Sequence, residues 1–178
     1  MRRILFFIAL LVTTPVLAED LALCKIGWIN TQLGNHEKAI KLFEKCIETG
    51  RLTKSSRART YRNIGIANYR KGEYKEAIKN YNRSLSLNPF DPLNDYVDRG
   101  NTWSELGKYE NALRDYDIAL NLLPNFNQAY YNRGIVYEKL GKNKMAIIEF
   151  IKACRYGLRS KKLYNRLVVY GLIKNKYK

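Results

Sequence analysis

After an opening run of nine unbroken apolar residues, Ile4 to Val12, the hydrophobic positions follow a helical rhythm interrupted by glycine. Ala39 and Phe43, Ala77 and Tyr81, Ala112 and Tyr116, and Ala146 and Phe150 each stand four apart, one turn along a single helix face. Polar and charged residues occupy half of the positions between them. The pattern predicts pairs of amphipathic helices, each pair folded back at a Gly: Gly34, Gly72, Gly107 and Gly141. Such a Gly can take the left-handed conformation that ends a helix. Pro89 and Pro124 are placed to stop the second helix of the second and third pairs.

The pairs are copies of one unit. Segments 20–53, 58–91, 93–126 and 127–160 align over 34 residues each. Gly27, Gly65, Gly100 and Gly134 hold the eighth position, and the Ala and aromatic residues above recur twelve and sixteen positions later. A Gly facing a later Ala lets two helices approach closely, and the aromatic ring fills the core between them. Residues 161–173 continue the phase, with Tyr164 on the aromatic slot and Leu167 on the Leu slot. They predict a solitary capping helix, which a stack of repeats needs to cover its last apolar face. Lys54-Ser55-Ser56-Arg57, between copies one and two, either lengthens that connection or extends a helix.

These residues resemble the tetratricopeptide repeat, whose pattern is W-x2-L-G-x2-Y, then A-x3-F, then P. The resemblance covers about 136 residues. It implies an all-α fold, a right-handed α-solenoid of four helix-turn-helix repeats plus a C-terminal capping helix. The sequence departs from the pattern at the Leu slot, which holds Ile26, Ile64, Arg99 and Arg133, and copies one and four lack the closing Pro.

The resemblance also implies a function: the first helices line a concave groove that binds a peptide segment or helix of another protein. By phase, the groove candidates are Arg59, Arg62, Asn63, Ile66, Tyr69, Arg70, Asn101, Tyr131, Asn132, Ile135 and Arg166. Arg59, Arg62 and Arg70 around Asn63 suit an acidic side chain or terminal carboxylate, which Arg grips with two hydrogen bonds. Tyr69 and Tyr131 would add rigid amphipathic area. The Lys/Asn carboxylate clamp of chaperone-binding relatives is not reproduced, since Cys24, Trp28 and Asp98 stand at its positions.

Charge and compartment then bear on the partner. The chain carries 32 Lys+Arg against 16 Asp+Glu, a net +16, which invites a nucleic-acid partner. The N-terminus argues otherwise. Arg2-Arg3, the Ile4–Val12 run and Val16-Leu17-Ala18 have the layout of a secretory signal peptide, 1–18, too short to span a membrane. Its removal leaves 30 basic residues against 16 acidic, or +14. The expected location is a bacterial periplasm or the exterior, which removes nucleic acid from the expected partners. From Lys152 onward there are nine basic residues and no acidic one, ending in a basic tail, 174–178. This supports a second reading, an envelope protein contacting an anionic membrane or cell-wall surface. Oligomeric state is left open.

Enzyme chemistry finds no foothold. There is one histidine, His36, and no P-loop, nucleophile elbow or His-Glu-x-x-His motif. No cofactor or metal is expected. Cys24 and Cys46 fall nearly level on their two helices, so a disulfide could staple the first repeat in an oxidising compartment. Alternatively Cys24 faces the groove while Cys46 fills a core slot, and their Cβ vectors diverge. Cys154 is expected as a small core residue.

Overall fold

The computed structural model describes residues 15–87 and 91–173. The apolar run Ile4–Val12, Pro89 and the basic tail 174–178 lie outside the described residues.

Among the described residues there are nine helices and no strand. They are α1 Pro15–Gln32, α2 His36–Glu48, α3 Lys54–Lys71, α4 Tyr74–Ser86, α5 Leu93–Glu105, α6 Tyr109–Leu122, α7 Asn127–Lys139, α8 Asn143–Arg155 and α9 Lys161–Val169. The expected cut after Ala18 falls in the first turn of α1. The Lys54–Arg57 insertion lengthens a helix rather than a loop. Thr53 caps α3 by accepting a hydrogen bond from the Ser56 amide, so the helix starts four residues before the copy does. At the far end of α3, Gly72 stands at φ 84°, a conformation with little steric cost only for Gly. α6 stops at Leu122, two residues ahead of Pro124. The cap ends at Val169, short of the expected 173, at a turn where Gly171 has φ 69°.

The eighth-position glycines have a specific reason. A Cβ on Gly27, Gly65, Gly100 or Gly134 would lie 2.9, 2.7, 2.8 or 2.6 Å from the ring of Phe43, Tyr81, Tyr116 or Phe150. Each copy thus closes by setting the aromatic ring of its second helix directly against the bare backbone of its first. Those four rings are at most 1% exposed and form the spine of the core. Ala39, Ala77, Ala112 and Ala146, all fully buried, permit the close approach one turn earlier.

Between copies, each second helix packs on the next first helix, and the first helices also touch one another, α1 to α3, α3 to α5 and α5 to α7. First helices side by side with second helices splayed behind them curve the stack. The first helices form its inner face. At the end, α9 covers copy four with Leu163 and Leu167, which join Phe150 and Ala153.

The two arginines on the Leu slot form an ion-paired counterpart of this packing. Arg99 donates through Nε and NH2 to the two oxygens of Asp115, at 2.8 and 2.7 Å, and through NH1 to Asn82 of the preceding copy. Arg133 points both Nε and NH2 at one oxygen of Glu149, Oε2, at 2.9 and 2.7 Å, and donates through NH1 to Asp117 of the preceding copy. Each guanidinium also lies over a Tyr ring three residues earlier, Tyr96 or Tyr130. Asp115 and Glu149 are buried, so these pairs are fixed by geometry rather than loose surface contacts.

Candidate functional site

The inner face carries two hollows. The larger, about 740 Å³, is walled by α3, α5, α7 and α9. The smaller, about 510 Å³, lies between α1 and α3 and is bordered by Cys24, Trp28, Arg59, Arg62 and Asn63. The Arg62–Asp98 ion pair stands between them: Arg62 borders the smaller, Asp98 the larger, and both Nε and NH2 of Arg62 donate to Asp98 Oδ2 at 3.0 and 2.9 Å.

Of the residues expected in the groove, Tyr69, Asn101, Tyr131, Asn132, Ile135 and Arg166 line the larger hollow and Arg59, Arg62 and Asn63 the smaller. Ile66 and Arg70 line neither. Several serve a different purpose from the one their phase suggested. Arg62 is tied to Asp98, and Arg70 donates to the Thr31 carbonyl at 2.9 Å, bracing α1. Arg166 donates to Glu138 at 2.8 Å and to the Tyr131 hydroxyl at 2.9 Å, joining the cap to copy four. Tyr131 is 7% exposed and packs on Phe150, so its ring belongs mainly to the core. The expected cluster of three arginines around Asn63 is therefore reduced to Arg59, because a cation on an inner helix finds an acid or carbonyl one repeat away.

What the larger hollow does present is a row of amides. Asn101 Oδ1 accepts from the Tyr116 hydroxyl and from Asn132 Nδ2, both at 2.7 Å, and Asn132 Oδ1 accepts from Gln128 Nε2 at 2.8 Å. With two donors on its oxygen, Asn101 is held so that its NH2 group remains to donate. The Tyr116 hydroxyl was not foreseen as part of this site. The sequence carried no specific signal for it, since copy two also has a Tyr at the ring slot, Tyr81, with Ile66 at position nine.

Burial raises the carboxyl of Asp98 above the ordinary carboxylate range, against the opposing pull of the Arg62 charge. One turn earlier in α5, Asp95 is 2% exposed, and its Oδ1 has no hydrogen-bond partner among the described residues. Burial pushes its pKa up to about 6, with Ser84 and Arg62 pulling the other way.

Cys24 and Cys46 are joined by a disulfide, with Cα atoms 5.7 Å apart. Cys46 is fully buried while Cys24 borders the smaller hollow, so the core slot and the groove face are compatible with a bond. Cys154 is a half-buried free thiol. No group of three or more His, Cys, Asp or Glu side chains among the described residues could hold a metal ion. No described helix is long and apolar enough to cross a membrane.

Helix pairs with a Gly-to-ring closure, stacked around an inner polar face, define a helical-repeat protein. This chain belongs to the tetratricopeptide repeat family, whose signatures match residues 19–89, 96–141 and 128–156. None of these signatures describes a catalytic family. The photosystem I assembly protein Ycf3 of Acaryochloris marina is 33% identical over 105 residues, 58% of this chain and 63% of the relative. The chain thus spans under two thirds of that relative's length. Among solved structures, that of MamA is 27% identical with a TM-score of 0.68, covering 80% of this chain and 82% of that one. YrrB, a TPR protein with an unusual peptide-binding site, shares the fold at 20% identity, with a TM-score of 0.69 and coverage of 86% and 75%.

Proposed function

We propose that this protein is an exported interaction scaffold that holds an extended segment or helix of a partner protein in its inner groove. The observation that carries this reading is the amide row of the larger hollow, with the Asn101 NH2 group left to donate to a partner's main-chain carbonyl. Main-chain recognition suits a groove whose Arg62 and Arg166 are already paired within the chain. An acidic partner would find Arg59, Lys25 and Lys162 on the rims of the two hollows. Ycf3, an assembly protein, and YrrB, with its peptide-binding site, are relatives and neighbours of the kind this reading expects. Export to a bacterial periplasm or beyond rests on the Arg2-Arg3 and Ile4–Val12 layout, and the Cys24–Cys46 disulfide suits an oxidising compartment.

The test places a photo-crosslinking amino acid at Asn94 or Gln128 in the groove and at Arg114 on an outer helix, in cells making the full chain. One partner protein captured from both groove positions and not from Arg114 is the expected result. Equal capture from all three positions, or from Arg114 alone, overturns the groove reading. A second reading, contact with an anionic membrane or cell-wall polymer, is favoured by the exposed Arg155, Arg159, Lys161 and Lys162 near the cap. It predicts salt-reversible binding to anionic vesicles that is lost when Lys161 and Lys162 become Gln.

A further inference from the structure

In copies two to four, the first helix buries one face against the copy before it. Ala67, Thr102 and Val136, at the tenth position of their copies, are fully buried, and Val136 packs with Val97, Tyr116 and Leu120 of the preceding copy. At the seventh position Ile64 is 3% exposed and packs with Ala39 and Phe43 of copy one. In copy one the same two positions are Ile29, 46% exposed, and Ile26, 44% exposed, and one turn beyond them Leu33 is 69% exposed. Meanwhile α1 buries the polar Asn30 and Thr31. The helix turns its larger aliphatic side chains toward solvent, on the face where a preceding helix pair would stack.

The fold shows what such a face accepts. In each later copy it is covered by one α-helix: α2 on α3, α4 on α5, α6 on α7. That helix offers apolar residues seven apart, Ile40 and Ile47 in α2 and Leu113 and Leu120 in α6. In α2 and α6 it also carries acids along one edge, Glu37 and Glu44 in the first and Glu110 and Asp117 in the second, whereas α4 has Lys75 and Asn82 at those positions. Glu37, Glu44 and Glu48 of α2 border a cleft of about 570 Å³ whose other side includes Lys79 and Arg83 of α4. The α2 positions matching Glu76, Lys79 and Arg83 are all lysine: Lys38, Lys41 and Lys45.

We propose that the outer face of α1, with the lysine edge of α2, is a docking site for one amphipathic helix of a partner protein. That helix is apolar at positions i and i+7 and acidic along one flank. It occupies the place that a preceding second helix would take. A second copy of the chain is a poorer occupant, because each copy carries +16 and would set lysine against lysine.

The probe is a stapled, fluorescein-labelled synthetic peptide with the α6 sequence, residues 109–122. It carries Glu110, Asp115 and Asp117 against Arg114, a net −2, and Glu110 and Asp117 match Glu37 and Glu44 of α2. Titration with the full chain should give saturable one-to-one binding that weakens between about 50 mM and about 300 mM NaCl. Ile26→Ser with Ile29→Ser should weaken it about tenfold or more. Lys38→Glu with Lys45→Glu should reverse the preference, toward a peptide carrying Glu110→Lys and Asp117→Lys. All four altered positions are exposed, and unchanged thermal melts check that the variants fold. Gln128→Ala, in the groove, should leave peptide binding unchanged, so this proposal and the groove reading fail separately. Absence of saturable binding, or equal binding by wild type and the double-Ser variant, overturns it. So does a dimer in analytical ultracentrifugation that the same serines abolish, since a second copy would then be the occupant.

Discussion

Replacing Asp95 by Asn should stabilise the protein at neutral pH and do little at pH 4. The Asp95 carboxyl is 2% exposed in the first turn of α5, and burial raises its pKa from 3.8 to about 6. At about 1.36 kcal/mol per unit, the penalty for holding the ionised form in the folded state approaches about 3 kcal/mol. The N-terminal position of Asp95 in α5 favours the anion by a few tenths to about 1 kcal/mol, so about 2 kcal/mol is a fair lower figure. Below about pH 3 the group is protonated in both folded and unfolded chains and contributes nothing to the pH dependence. Between about 4 and 6 the folded state keeps a proton that the unfolded state has lost, so stability falls as pH rises. Above about 6 the full cost is present. Asn has nearly the same shape and cannot ionise. Urea unfolding at pH 4.0, 5.0, 6.0 and 7.5 would follow the gap between Asp95→Asn and wild type, since every other carboxylate titrates in both. With a slope of about 1–3 kcal/mol per M, the variant's midpoint should move up by about 1 M or more at pH 7.5. A gap that stays constant across the series would refute the argument, because it would show that the Asn effect is steric and Asp95 titrates normally.

The ion-paired slots should behave asymmetrically. Arg133→Ala leaves the buried Glu149 with only the longer 3.4 Å contact to Lys152 and should cost about 3 kcal/mol in urea unfolding, while Arg133→Ile with Glu149→Leu, the combination copy one carries as Ile26 and Leu42, should recover most of it. Cys24→Ala with Cys46→Ala removes a cross-link spanning 22 residues and should lower stability by about 3 kcal/mol against the oxidised protein, a difference that dithiothreitol should largely erase. Together with the groove crosslinking and the helix-peptide titration, these measurements address separate parts of the molecule.

The helical-repeat architecture was legible from sequence because its packing tolerates few substitutions. Only Gly leaves room for a ring against the backbone, so Gly27 with Phe43 and its three counterparts had to recur at fixed spacing. The Leu-slot arginines were visible as departures, but their meaning lay sixteen residues away. Arg99 and Arg133 coincide with Asp115 and Glu149, whereas Ile26 and Ile64 coincide with Leu42 and Asn80. Comparing those two columns would have found the pairs. The groove was less legible. Helix phase places Arg62, Arg70 and Arg166 on an inner face but does not show that Asp98, the Thr31 carbonyl and Glu138 sit within reach across a repeat boundary. Asp95 hid for a related reason: its slot holds Ala22, Thr60 and Ala129 elsewhere, a column of small residues that marks burial only once the copies are compared.

The backward reach of the Leu-slot arginines has a consequence for how this array can change length. Arg99 finds Asn82 and Arg133 finds Asp117, each at position twenty-five of the copy before. In copy one that position is Glu44, and in copy four, which has only the cap behind it, it is Ile151. Every copy followed by another therefore carries an acceptor at the joint, whether or not its present neighbour uses it. Excising copy two would bring Arg99 against Glu44, and excising copy three would bring Arg133 against Asn82. The joint behaves like a standard coupling with a matching socket on each carriage, so a shorter train can form without redesigning what remains.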